Sequence, residues 1–472
     1  MKPLRSLAVA LALLTGPALA APALPAMGEV ASDTLSRAQE REIGQRMMME
    51  VRRRLPLLED PEVNAYLQDL GQRLATHSQA PELDYHFFVV DLPAINAFAM
   101  PGGYIGVNAG LILSARSESE LAGVLAHEIA HVTQRHIARG IEASQRASLQ
   151  NAALLLAAIL VGSQDSQAGT AAAAASMAGS IQQQLNYSRA FEHEADNLGI
   201  RMLAAAELDP NGMPTFFERL ALATRYQGRP PEYLSTHPVT ETRIAESSNR
   251  AASLTPSRIF ESETFDYVQK RLEVLKAHPL RVEDFEAQVR RATASEKAVA
   301  QYGLALALTA SRDYDRARSL LGKLLKDHGE RPSLLLALAR LEQDAGNLPR
   351  SRTLYEQALA LYPGNGPARI GYAEALLRSG MPDKAYWTLS RAMPSSDPSL
   401  YWLLAKSASE AGMGSEPQLA MAEYHALRGD ISAALVQLQQ VLNNPRATPH
   451  ETARASVRQE QLQRELERLA RE

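Results

Sequence analysis

Apolar residues recur at helical spacing over residues 34–77: Leu35, Ile43, Met47 and Val51, then Val63, Leu67, Leu70 and Leu74, with charged residues on the other faces. Helices are expected there. The pattern changes over residues 85–90, a compact apolar run bounded by Pro81 and Pro93 that predicts a buried strand. His86, inside it, reads as a satisfied core or edge residue. Two short extended runs then flank Pro101-Gly102-Gly103, and those turn residues predict a hairpin. The run Asn96, Ala97, Phe98, Ala99 and Met100 suits equally an edge strand that binds an extended peptide by strand addition, and the pattern does not choose between the two. Over residues 118–140 the helical period returns. Leu121, Val124, Leu125, Ile129 and Val132 make this a core helix, with Ser117 as its cap.

Beyond Ser253 the texture differs. A connecting helix is expected around residues 265–275, and a period of thirty-four residues follows: Ala305, Ala339 and Ala373, with Gly346 and Gly380 at the loops. Ala317 and Ala385 share a later small-residue position, Tyr355 and Leu389 the next, and Ala358 and Ala392 another; Pro363 closes one unit. Small residues where paired helices cross, with large ones between, resemble tetratricopeptide repeats. Gly412 and Gly429 mark less regular units, and residues 451–472 read as a charged terminal helix. A single repeat cannot bury its own apolar surface, so about four units are expected to stack into a curved scaffold with a peptide-binding face. An inert helical spacer is the alternative.

A chain of 472 residues exceeds one core. Residues 1–20 read as a cleavable secretory signal: Lys2 and Arg5 precede an apolar run, and Gly16-Pro17 breaks it before Ala18-Leu19-Ala20. The run is too short for a membrane anchor. Export to a bacterial periplasm is the expected location. Losing Lys2 and Arg5 takes the formal net charge from −4 to −6, which argues against a nucleic-acid partner. The chain has no cysteine, which excludes disulfides and thiolate metal sites. The apolar runs at residues 152–161 and 169–179 are each too short to span a bilayer. They are expected to form a helical hairpin over the cleft, with shallow peripheral contact with a membrane as the alternative.

The chemistry concentrates at His127-Glu128-Ile-Ala-His131. Two histidines four residues apart on a helix turn their imidazoles the same way, the disposition a tetrahedral zinc needs from two ligands. Glu128 points slightly aside, placed to hold the water on the open coordination position. His136 fails a metzincin pattern, because Gln134 and Ile137 stand where glycine and a third histidine would be needed, and it reads as a surface residue. A third ligand must come from elsewhere. Glu192 and Asp196 lie four apart on another helix face, so Glu192 could ligate zinc while Asp196 orients a metal-bound imidazole; the alternative is a solvated acidic helix start. His193 and Glu194 point off that face and are expected to be exposed.

These segments, with Asn96-Ala-Phe-Ala-x-Pro-Gly-Gly103, Ser188-Arg-x-x-Glu192-x-Glu-Ala-Asp196, Ser235-Thr-His237-Pro238 and Arg243, resemble peptidase family M48, zinc metallopeptidases that include CAAX prenyl proteases and bacterial membrane-stress proteases. The resemblance covers roughly residues 35–250. It implies one zinc per chain, Glu192 as third ligand and residues 96–100 as a substrate-aligning strand. The implied fold is mainly α: an α+β gluzincin-type metallopeptidase domain with a small sheet over residues 21–262, then an α-solenoid of tetratricopeptide repeats over residues 263–472. Signal, soluble peptidase domain and repeats together resemble the members of the family that act on outer-membrane proteins. That implies degradation of unfolded or stalled outer-membrane proteins, chaperone help to others, and contact with the outer-membrane assembly machinery through the repeats.

Glu128 would pass the water's proton to the leaving amine, with zinc stabilising the oxyanion. His237, before a proline in an irregular stretch, reads either as part of a helix entry capped by Thr236 or Thr240, or as a fourth ligand that latches the resting site. Arg243 is expected to pair with a cleft carboxylate or to steady the oxyanion. A chaperone or adaptor with a silent peptidase domain is the rival from another class.

Overall fold

The computed structural model describes residues 35–143, 189–227, 231–254, 256 and 258–471. The expected signal peptide and the hairpin expected on residues 152–161 and 169–179 lie outside them. Helix α1 (Arg37–Arg54) starts at a capping box between Ser36 and Gln39 and buries Met47, Met48 and Val51. Helix α2 (Pro61–Ala75) starts at Asp60, whose carboxylate accepts from Val63 N, and buries Val63, Leu67, Leu70 and Leu74.

Three strands follow: β1 (His86–Val90), β2 (Ala97–Met100) and β3 (Tyr104–Asn108). β3 is central, parallel to β1 and antiparallel to β2. Pro101–Gly103 turns β2 into β3, with Gly102 at φ 78°, a conformation that favours glycine. The two readings of this segment are therefore compatible: β2 is one arm of a hairpin and also a sheet edge. Asn96 precedes the strand. His86 is half-buried and stacks on Tyr104 at 4.9 Å.

After α3 (Ala109–Ser114) comes α4 (Glu118–Thr133), which ends earlier than its apolar period suggests. Arg135 adopts φ 55°, in the left-handed region that β-carbons disfavour, and a separate helix α5 (His136–Ala143) begins beside it. The expected continuous helix to residue 140 is thus two helices with a sharp break. The guanidinium of Arg135 explains how the break is held. It is buried, donating from Nε to Glu40 Oε1 at 3.1 Å and from Nη2 to the Leu35 carbonyl.

Helices α6 (Arg189–Ala205), α7 (Gly212–Gln227), α8 (Glu232–Thr236) and α9 (Glu241–Ser253) pack with α2, α4 and the sheet around one core. The next helix, α10 (Thr264–Lys276), is shared. Its Phe265, Val268 and Leu272 enter this first core, while Tyr267 and Val274 enter the next. The expected boundary between residues 262 and 263 therefore falls immediately before a helix that belongs to both sides.

Helix α11 (Val282–Arg291) leads into a stack of helical hairpins. These are α12 (Lys297–Ala310) with α13 (Tyr314–His328), α14 (Pro332–Asp344) with α15 (Leu348–Leu361), and α16 (Gly366–Arg378) with α17 (Pro382–Ser390). Then come α18 (Pro398–Glu410) with α19 (Glu416–Leu427), and α20 (Ile431–Leu442) with α21 (Pro449–Arg471). Five hairpins stand where about four units were expected, because the alanine spacing ends at Ala373 and Ser407 takes the next position. Ala305, Ala339 and Ala373 are fully buried, and Gly346 and Gly380 take φ 84° and 68° at their loops. Successive cores run along the stack, as nearest-neighbour repeats require.

Polar contacts also tie the first unit to α10 and to the stack. Arg271 grips Asp60 with two hydrogen bonds (Nε to Oδ1 2.9 Å, Nη2 to Oδ2 2.7 Å) and reaches Glu62 at 2.8 Å. Further on, Arg52 of α1 donates to the carbonyls of Leu427 and Ser396. Among the described residues no helix is long and apolar enough to cross a membrane.

Candidate metal centre

Ser117 caps α4 by accepting from Glu120 N, and the helix runs through the core with Leu121, Val124, Leu125 and Ile129 fully buried. His127 and His131 share that environment, where an unpartnered imidazole would be costly. Their rings face one another, with Nε2 atoms 2.9 Å apart. Helix α6 crosses closely because Gly199 carries no side chain: a Cβ there would lie 2.6 Å from Met213 Cε and 3.2 Å from His127 N. That approach sets Glu192 and Asp196 against the two rings. Asp196 Oδ1 is 2.9 Å from His127 Nδ1, and Glu192 lies 3.5 Å from the Nε2 atoms of both His127 and His131.

His237 arrives from a third direction. It ends α8, where Pro238 stops the helix, and its ring stacks on Tyr233 at 4.9 Å. Its Nδ1 is 3.2 Å from both His127 Nε2 and Glu192 Oε1, and its Nε2 is 3.4 Å from Glu128 Oε1. The N-cap of α9 is Thr240, which accepts from Arg243 N, so the cap and the cluster involve different residues of one loop. Arg243 is spoken for. It donates to both oxygens of Asp196 at 2.8 Å, to the Pro238 carbonyl at 2.8 Å, and pairs with Glu192 Oε2 at 2.8 Å. Of the two roles expected for it, the geometry shows the pairing with cleft carboxylates.

One donor atom each from His127, His131, Glu192 and His237 lies within 4.8 Å of the others. A tetrahedral ion with nitrogen and oxygen ligands needs donors about 3.3 Å apart. Taking either oxygen of Glu192, its separations from the three histidines and those of His127 from the other two are 2.9–3.5 Å and fit that requirement. Buried lone pairs that converge in this way repel unless a cation or a proton sits among them.

The electrostatics fit as well. Burial alone would lower His127, but hydrogen bonds to Asp196 and Glu192 outweigh it and hold its pKa at about 9. Burial drives His131 well below the usual histidine value, helped by the charge of His127. Burial opposes ionisation of Glu192, yet His237 and His127 hold it well below its usual range. Glu128 is raised by burial, against the pull of His237, His127 and the Ala99 backbone.

One consequence is measurable. In the metal-free protein the proton on His127 stabilises the fold fully below about pH 6.5, and that contribution is lost as the pH rises through about 9. Metal must displace this proton. Its apparent affinity should therefore climb by about tenfold per pH unit between pH 7 and 9 and level off beyond. Competition with a chelator across pH measures this, and Asp196→Asn should move the plateau to lower pH.

Two expectations are corrected here. His136 is not a surface residue: it is fully buried, with Nδ1 2.8 Å from His131 Nδ1 and Nε2 3.2 Å from Glu194 Oε2. Burial lowers its pKa to about 4 despite Glu194, so it is neutral. Glu194 is only partly exposed, and Arg139 Nη1 donates to it at 3.0 Å. His193 is partly exposed and pairs with Glu246 at 2.8 Å. Along the sheet edge, Asn96 is buried and donates to Glu232 Oε1 of α8 at 3.2 Å, while Ile95 O accepts from Tyr233 N at 3.1 Å. The helix that carries His237 is thus tied to the start of the edge strand.

Comparison with known proteins agrees with this geometry. Residues 61–251 match Peptidase family M48, and residues 302–366 and 342–408 match tetratricopeptide repeats. The chain is 34% identical over 453 residues to the beta-barrel assembly-enhancing protease of Escherichia coli (strain K12), covering 94% of this chain and 92% of that protein. It is 35% identical over 419 residues to a putative beta-barrel assembly-enhancing protease of Vibrio cholerae, covering 87% and 86%. A shorter match, 31% over 186 residues, covers 38% of this chain and 50% of the mitochondrial metalloendopeptidase OMA1 of Schizosaccharomyces pombe.

Proposed function

The chain belongs to peptidase family M48 and is a metalloendopeptidase with tetratricopeptide repeats; from that premise we propose a zinc-dependent endopeptidase, exported to the periplasm, that degrades stalled outer-membrane proteins and helps others assemble. The chemical half rests on the convergence of His127, His131 and Glu192 beside a buried Glu128. The assembly half is supported by likeness along nearly the whole chain to proteases named for β-barrel assembly.

Zinc held by His127, His131 and Glu192 would polarise a peptide carbonyl and acidify the water bound to it. The remaining work falls to protein groups. Glu128, raised by burial, takes the water's proton and passes it to the leaving amine. Asp196 accepts from His127 Nδ1 and so keeps Nε2 free to ligate. Arg243 fixes Asp196 and Glu192 together. The edge strand β2, beside Glu128, takes an extended client by strand addition. That mode reads backbone more than side chains and suits unfolded proteins.

His237 is the latch. Its Nδ1 lies among the metal-binding donors and its Nε2 stands 3.4 Å from Glu128 Oε1, so it would take the place of the hydrolytic water until α8 moves away. Peptidase activity is latent at rest, which accommodates the adaptor reading without a silent domain. His237→Ala is expected to raise digestion of unfolded casein several-fold with zinc retained, and a chelator should abolish the gain. Lower activity with zinc retained would instead make His237 a donor to the transition state.

The repeats recruit clients and the assembly machinery. A chain ending at Ala277 keeps Phe265, Val268 and Leu272 in the first core. It should bind zinc normally and lose those partners in pull-downs. A chain ending at Ser262 should also unfold more easily. Recovery of the same partners by the shortened chains would end the scaffold role.

A further inference from the structure

The two ligand imidazoles are supported differently. His127 turns its outer nitrogen directly to a carboxylate, Asp196, at 2.9 Å. The outer nitrogen of His131 meets a third imidazole, His136 Nδ1, at 2.8 Å. His136 Nε2 in turn faces Glu194 Oε2 at 3.2 Å, which also accepts from Arg139 Nη1 at 3.0 Å. The His136 ring stacks on Phe191 with centroids 4.5 Å apart and planes 12° from parallel.

We propose that His136 is a positioning residue for the metal ligand His131, linking it to the Glu194 carboxylate through a hydrogen-bonded relay of fixed direction. The proposal rests on the metallopeptidase reading above. If His131 Nε2 gives its lone pair to the metal, the ring proton must be on Nδ1. His136 Nδ1 stands at hydrogen-bond distance to accept it. The proton of His136 is then on Nε2, which donates to Glu194. Every link has one donor and one acceptor, so the relay sets both the tautomer and the ring angle of His131.

The backbone is built for this. A continuous helix through residue 140 would carry His136 round the axis, away from the His131 ring. The left-handed Arg135, anchored by Glu40 and the Leu35 carbonyl, breaks the helix and brings His136 back. Packing against Phe191 alone would be served by another aromatic ring, without two buried nitrogens to satisfy.

The test uses the full chain, with zinc and cobalt as probes. Three readouts are taken: zinc affinity by competition with a chromophoric chelator, the absorption of the cobalt-loaded protein, and thermal unfolding of the metal-free protein. His136→Phe keeps the ring and removes both nitrogens. It should weaken zinc binding by about 10- to 100-fold and shift the cobalt bands, with metal-free unfolding little changed. His136→Asn, whose side-chain oxygen can accept from His131, should recover most of the affinity. Glu194→Gln, at a partly exposed position and with little change of shape, should weaken binding in the same direction. Wild-type zinc affinity and cobalt bands in His136→Phe and Glu194→Gln would overturn the proposal, as would His136→Asn binding as weakly as His136→Phe. A wild-type chain that binds neither metal would instead overturn the metallopeptidase reading itself.

Discussion

Glu128→Gln is expected to cut hydrolysis of an unfolded substrate by about a hundred- to ten-thousandfold, the usual worth of a general acid–base group, while zinc stays at the wild-type level. The carboxylate is buried one residue along α4 from His127 and does not belong to the four-donor cluster. Removing its charge therefore removes proton transfer without removing a ligand. Glutamine has the same shape, so the tight packing around residue 128 survives. With the latch proposed for His237, the comparison is cleanest in a His237→Ala background, where the uncatalysed floor lies furthest from the signal. Casein hydrolysis and metal analysis of the same preparations decide it. Loss of zinc from Glu128→Gln would assign the carboxylate to the metal, and undiminished turnover would remove it from the chemistry.

Glu192→Ala should remove metal and activity together. Glu192 is the only carboxylate among the four clustered donors, so its loss takes away both a ligand and the negative charge that offsets a dication. An outer carboxylate is typically worth 10- to 100-fold in metal affinity, and a direct ligand should cost more. The fold should endure, because Arg243 keeps both hydrogen bonds to Asp196 and its bond to the Pro238 carbonyl. Glu192→Gln separates charge from bulk, and a weak site with near-normal unfolding is expected there also. The measurement is zinc content after dialysis, alongside thermal unfolding of each metal-free variant. Full zinc and full activity in Glu192→Ala would sink the ligand assignment.

The histidine pair was legible because its geometry is local. A helix alone puts residues 127 and 131 on one face. The repeats were legible for a related reason: Ala305, Ala339 and Ala373 each sit at the same helix crossing, and all three are buried. Glu192 and Asp196 could be paired from their spacing, but which ring each would meet depends on the close approach allowed by Gly199. The pattern misplaces His136 because an apolar period continues past a break that no local propensity announces. The break comes from a tertiary anchor, Arg135 on Glu40, nearly a hundred residues away in sequence. Glu194 goes with it: it points off the face of Glu192 and Asp196 and so reads as exposed, although α5 packs on that flank. The shared helix α10 reads in the sequence as a connector. Its two apolar faces serve different cores, which one period cannot reveal.

The separation of the donors along the chain sets when catalysis can begin. His127 and His237 are 110 residues apart, and Glu192 lies between them. During synthesis the histidine pair and Glu128 emerge first, yet two imidazoles on an undocked helix hold a metal weakly. Contacts this distant in sequence form late, after the cost of closing long loops has been met. On the proposed ligand set, the site is therefore assembled only once α6 and α8 have docked on α4. The last of the four clustered donors to be made is His237, 45 residues after Glu192, so on the proposed reading the three ligands exist before the latch does, and the docking of α8 is the step that completes the resting site.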